Sequence, residues 1–334
     1  MSISIVNSLY LPHQADNALL DKTMKGSLRR KGRLLDAPTY DPQTLAWPAT
    51  LYTLHHSQLF RSLSEGMQQG IVRTCNEFVL TESYFIEKAG LAYCAKMITL
   101  GETTEIRQMY GLIASDEAVH LSWLAPYLTH QERVTPQGKF IQHISGMIEH
   151  CDANTLYFLI QTVLEGWGIA YYKTLGKTCQ WPSLQATLLN ILKDEAVHHN
   201  TGVALFDPSR LTKQHEADIF DGMKRYFDVL RVGAQNIVAC IEQHTGPLSF
   251  DALTELFGAL EAEHSAVIKL KVLTSIMHQP GTQEWLDQLE AQGYLSPYSP
   301  EQCAKIYSGP TRWSAPTHIE VLFRKNPIKE RDLF

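Results

Sequence analysis

A glutamate and a histidine three residues apart on a helix project from one face, one turn apart, and can offer a carboxylate and an imidazole to the same metal ion. The chain carries that pair twice inside the same five letters, Asp116-Glu117-Ala118-Val119-His120 and Asp194-Glu195-Ala196-Val197-His198. A further glutamate stands 30 residues before each pair, Glu87 ahead of Glu117 and Glu165 ahead of Glu195. Every member of the second set lies 78 residues after its counterpart in the first. The flanks repeat as well: Gly90, Ala92 and Tyr93 follow Glu87 as Gly168, Ala170 and Tyr171 follow Glu165. One Glu-x-x-His arises by chance in many helices. Two in register, each with its upstream glutamate, form a specific pattern.

Four carboxylates and two imidazoles make an oxygen-and-nitrogen donor set that suits iron or manganese and is poor for copper(I) or structural zinc. Carboxylates can bridge two metals, and two adjacent reduced irons can deliver a pair of electrons to dioxygen. The bland alternative places these side chains on solvated faces or in internal salt bridges. Six positions in register argue against it. So do the apolar neighbours, Leu80, Tyr84 and Leu91 beside Glu87 and Phe158, Ile169 and Tyr172 beside Glu165. An unpaired carboxylate buried among them would be costly, and metal ligation offsets that cost. Gly90 and Gly168 sit one turn after the upstream glutamates. They leave space there, either for a small molecule or for close helix packing.

Three further features compete. Glu82 rivals Glu87 on the first helix, but the repeat selects Glu87. Glu261 and His264 form a third Glu-x-x-His, without the preceding aspartate and with Arg231 where the upstream glutamate would stand. It reads as a polar helix face, with His264 the remaining candidate for a seventh ligand. His199 adjoins a ligand histidine, yet successive helical positions point about 100° apart.

These residues need four helices to hold them. Thirty residues accommodate a helix, a turn and an antiparallel return, so each half predicts one hairpin. Apolar spacing predicts a helix from about Ser64 to Leu100, ended by Gly101, and a second capped by Thr103 or Thr104 and stopped before Pro126. A connecting helix follows over 136–150. Asp152 caps the helix of Glu165, which ends near Gly176, and Trp181-Pro182 opens the helix of Glu195, closed by Pro208. Long helices are expected over 211–243 and 250–278, with shorter ones to about 307 and an extended tail from Gly309-Pro310. Residues 1–63 read as an arm on the bundle with one short helix, 64–207 as the bundle core, and 208–334 as added helices and tail of the same domain. The class is all-α.

At 334 residues, 44% hydrophobic and 19% charged, the chain has the composition of a soluble protein with a substantial core. A net charge of −6 argues against nucleic acid as the main partner. The first eleven residues lack the build of a signal peptide, no apolar run is long enough for a membrane span, and six scattered cysteines suit reduced thiols. A cytoplasmic location is expected. Lys22, Lys25, Arg29, Arg30, Lys31 and Arg33 form a basic cluster, either simply solvated or a dock for an acidic partner such as a carrier protein or electron donor.

Over residues 64–207 the order Glu, Glu-x-x-His, Glu, Glu-x-x-His resembles the ferritin-like di-metal carboxylate proteins. The resemblance implies a ferritin-like four-helix bundle with additional C-terminal helices. It also implies two iron ions (manganese with iron as the alternative) held by Glu87, Glu117, His120, Glu165, Glu195 and His198. Asp116 and Asp194 would accept the other ring nitrogen of the ligand histidines. Paired Cys-x-x-Cys motifs of rubrerythrin-like peroxidases are missing, and Leu124 stands where ribonucleotide reductase radical subunits place a tyrosine. Ferritin cages are shorter and use fewer ligands. What remains is the oxygen-activating group, similar to arylamine N-oxygenases and aldehyde-deformylating oxygenases. Trp47-Pro48 through Leu63 resembles the former. Ile191 departs from it, because those enzymes have an additional histidine there.

The resemblance therefore implies a non-haem di-iron oxygenase that uses O2 on a small or carrier-tethered organic substrate. N-oxygenation, hydroxylation or oxidative cleavage in natural-product or lipid-type metabolism would be its reactions. Electrons would come from a ferredoxin or reductase, since no flavin or nicotinamide fingerprint is present. Long helices with apolar faces are compatible with a homodimer, and the sequence leaves the oligomeric state open. An acyl-carrier-protein-type desaturase and a non-catalytic iron or manganese store are the alternatives.

Overall fold

The computed structural model describes residues 18–30, 44–128 and 139–309. Helix starts follow local capping chemistry. After α1 (Ala18–Arg30), Ser64 accepts a hydrogen bond from the Met67 amide and opens α2 (Glu65–Leu100). Thr103 caps α3 (Thr104–Leu124) through the Ile106 amide. So short a link makes α2 and α3 an antiparallel hairpin, packed along its length.

After α4 (Lys139–His150), Asp152 accepts from the amides of Asn154 and Thr155 and starts the second hairpin. Its first helix is continuous in three parts: a turn at Ala153–Leu156, a π-helical stretch at Tyr157–Leu164, and α5 (Glu165–Thr178). Pro182, lacking an amide hydrogen, takes the first position of α6 (Pro182–Leu205). The second hairpin packs along its length like the first, and α3 touches α6. Among the described residues there is no strand, and the fold is all-α.

The remaining helices are α7 (Lys213–Arg231), α8 (Gln235–Thr245), α9 (Phe250–Ala259), α10 (Ala262–Met277), α11 (Gln283–Ala291) and α12 (Pro300–Tyr307). Two helices expected as single are thus each broken. Gly233 adopts φ +75°, and a Cβ there would stand 2.7 Å from the Ala262 carbonyl oxygen. Glu261 is left-handed at φ 51°. The two breaks meet where Gly233 abuts Ala262. Apolar spacing carries through both, which hides them from a periodicity reading.

The arm after residue 44 crosses the hairpins. Trp47 is fully buried and donates its indole N–H to the Leu175 carbonyl at 2.9 Å, while Asn76 binds both its backbone N–H and C=O. A contiguous apolar core runs from this arm to Tyr307. Lys22, Lys25 and Arg29 are exposed on α1, whereas Lys31, Arg33 and the expected extended tail from Pro310 lie outside the described residues. No described helix is long and apolar enough to cross a membrane.

Candidate metal centre

The two hairpins bring the six repeat residues together. Glu87 comes from α2, Glu117 and His120 from α3, Glu165 from α5, and Glu195 and His198 from α6, all buried. They fall into two overlapping groups, Glu87–Glu117–His120–Glu195 and Glu117–Glu165–Glu195–His198, with the ligand atoms of each within 4.8 Å of one another. Each group has its own glutamate and its own histidine. Glu117 and Glu195 belong to both.

The histidines present Nδ1 inward. His120 Nδ1 lies 2.8 Å from Glu87 Oε2, 3.9 Å from Glu195 and 4.0 Å from Glu117. His198 Nδ1 lies 3.2 Å from Glu117 Oε1 and 3.6 Å from Glu165 Oε2. The Nε2 atoms face the aspartates in a crossed pattern. Asp194 of the second motif meets His120 of the first at 3.1 Å, and Asp116 of the first faces His198 of the second at 3.7 Å. Each motif thereby orients the other's imidazole, a crossing that spacing alone does not reveal. Neither ring nitrogen of buried His198 makes a hydrogen bond of good geometry. A buried donor or acceptor left so is costly, and a cation at Nδ1 would resolve it. The donor set fits a pair of divalent cations, because four carboxylates with neutral imidazoles balance their charge.

The glycines fit both roles weighed from the sequence, since each lies close against the facing helix and both line a small space beside Glu165 and Glu195. A Cβ on Gly90 would meet Glu117 Oε2 at 2.7 Å, and one on Gly168 would meet Glu195 Oε2 at 3.0 Å. Both make room for the two shared carboxylates. Tyr172 is buried, and its hydroxyl donates a hydrogen bond to Glu87 Oε1. The sequence placed Tyr172 beside Glu165 because they share α5. Its reach is across to α2, a contact that spacing within one helix could not give.

The π-helical stretch is anchored on α6. Gln161 Nε2 donates to the His198 carbonyl at 2.9 Å, and His199 Nδ1 lies 2.8 Å from the Thr162 carbonyl. His199 therefore braces the backbone ahead of Glu165 and stays out of the cluster. His264 is exposed and joins neither ligand group. Glu82 joins neither group and instead lines a chamber of about 440 Å³ between α2, α5, α8 and α10. A smaller pocket of about 40 Å³ touches Glu165 and Glu195. Ile86, Phe140, Leu164, Trp167 and Tyr171 line both spaces.

Without metal, protons balance the carboxylates. Burial, then Glu87, pushes the Glu117 carboxyl up to about 8. Burial opposes a charge on His120, but Glu87 above all outweighs it and raises its pKa to about 10. His198 is raised further, against burial, by Asp116, Glu117 and Glu165. Burial and then Glu165 raise Glu195 well above the ordinary carboxyl range, whereas Glu165, despite burial, is lowered by Glu195 and His198. The folded chain therefore binds more protons at Glu117, Glu195, His120 and His198 than the unfolded chain, so metal-free stability falls as pH rises from about 4.5, the ordinary carboxyl value, through about 10. Cations compete with those same protons, so their affinity rises over that window. Anaerobic Fe(II) addition in dilute indicator solution is expected to release protons, and thermal melts with and without metal to diverge as pH rises. Silent indicator and parallel melts would contradict this.

The chain matches no protein-family model, no curated protein and no solved structure.

Proposed function

We propose that the cluster is a di-iron centre and the protein a dioxygen-using oxygenase with a ferritin-like four-helix core, acting on a small organic substrate in the adjoining chamber. The observation that supports this best is the sharing of Glu117 and Glu195 by both ligand groups. Two cations placed in those groups would be bridged by the same two carboxylates. Glu87 and His120 would complete one position, Glu165 and His198 the other.

Bound there, two ferrous ions would supply an electron pair to dioxygen, with a separate reductase or ferredoxin to restore them. The chain's own residues do the rest. Asp194 and Asp116 face the Nε2 atoms and leave Nδ1 free for ligation. Tyr172 steadies the Glu87 carboxylate at the wall of the smaller pocket, where Tyr171 also stands. Apolar walls at Ile86, Leu164 and Trp167 keep bulk water from the centre and receive an apolar substrate.

The test is anaerobic reconstitution with Fe(II), followed by an oxygen pulse. Two irons per chain and rapid, stoichiometric oxygen uptake are expected from the two ligand groups. A chain that retains less than one iron defeats the centre, and one that accumulates many irons is a store instead of an oxygenase.

A further inference from the structure

The chamber beside the cluster is apolar over most of its wall, yet two opposite charges face into it. Glu82 from α2 and Lys269 from α10 are both half-buried and both line this space. They interact electrostatically, but no ion pair joins them among the described contacts. Tyr171, also on the wall, has its hydroxyl 3.1 Å from Ser83 Oγ, on the residue next to Glu82. Burial raises the Glu82 carboxyl to about 7 and lowers the Lys269 amine. Two desolvated, separated charges in an apolar chamber are unfavourable unless something polar lies between them.

We propose that Glu82 and Lys269 are the head-group site for a zwitterionic substrate, a hydrophobic amino acid whose ammonium meets Glu82 and whose carboxylate meets Lys269. The assignment of this molecule as substrate rests on the di-iron reading; the binding site does not. The argument is charge balance. A monoanion would satisfy Lys269 and leave Glu82 facing a like charge, and a monocation would do the reverse. A zwitterion answers both without adding net charge to a buried space. The volume of about 440 Å³ lies within the range of small-molecule sites.

The site also sets the direction of the bound molecule. Glu82 precedes Glu87 by five residues on α2, about 7.5 Å along the axis at helical rise. The space nearest the cluster is walled by Ile86, Ala89, Gly90 and Gly168. The charged head is therefore held several bonds away, and the apolar tail is presented to the metal centre. This orientation keeps the amine off the cluster.

The experiment is calorimetric titration of L-phenylalanine, 3-phenylpropionate and 2-phenylethylamine into anaerobic iron-loaded protein and into metal-free protein. Phenylalanine is expected to bind about tenfold or more tightly than either singly charged analogue, and Glu82→Gln and Lys269→Met are each expected to weaken it by a similar factor. Removing both charges together in Glu82→Leu/Lys269→Met should leave the melting temperature equal or higher and abolish the preference. Equal or tighter binding of an analogue, unchanged phenylalanine binding in the double variant, or no binding of any probe overturns the proposal. The two readings fail separately. Iron loading without a phenylalanine preference removes only the head-group site, and phenylalanine binding to a chain that cannot hold iron removes only the di-iron centre.

Discussion

In Glu117→Ala both metal positions are expected to empty together, whereas Glu87→Ala should empty one. Glu117 belongs to both ligand groups, and Glu87 to one. Loss of a partner that merely orients a ligand typically costs about 10–100-fold in metal affinity. Removing a carboxylate shared by two cations goes beyond that, on the order of a thousandfold, and takes oxygen uptake with it. Iron content by elemental analysis, read beside far-UV circular dichroism, separates the outcomes. One tightly bound iron left in Glu117→Ala, or equal losses in both variants, would show that the carboxylates are not shared as described.

Gly202→Ala should destabilise the protein by about 3 kcal/mol, the upper end for an overpacked site. A Cβ at Gly202 would lie 2.6 Å from the Gln161 carbonyl carbon and the Thr162 nitrogen. Those are backbone atoms of the π-helical stretch and cannot rotate aside. Pushing that stretch off α6 also moves Glu165, the next residue after it, so affinity at the Glu165–His198 position should fall as well. Gly111→Ala on α3 is the control. Nothing lies within 4 Å of a Cβ there. Replacing an exposed helical glycine should stabilise by roughly 0.5–1 kcal/mol. Equal melting temperatures for the two variants would remove Gly202 as the constraint that seats the π-helical turn.

The six clustered side chains were legible because a 78-residue repeat preserves both helical phase and hairpin length. Phase decides which face a side chain takes, and hairpin length decides its level, so position followed from spacing. The helix starts at Ser64, Thr103, Asp152 and Pro182 were legible for a similar reason, since capping is local chemistry. Contacts between helices were not. Asp194 serving His120, Tyr172 reaching Glu87 and Glu82 sharing a chamber with Lys269 all join residues far apart in sequence. Lys269 carries no motif, and a lone lysine on a helix otherwise reads as a solvated residue. The π-helical stretch was hidden because its eight residues are almost uniformly apolar and carry no period to misplace. The breaks at Gly233 and Glu261 depend on one another's backbone across the fold.

The hydrogen bond from Tyr172 has no twin. The equivalent position of the repeat, 78 residues earlier, is Cys94, a buried thiol and a feeble donor. One terminal carboxylate is tethered by a phenol while its counterpart Glu165 is freer to swing between binding modes. The duplication thus ends in two unlike seats. In the proposed centre the two would fill in sequence and differ in reduction potential, so a pattern copied twice would yield a pair whose members are not interchangeable.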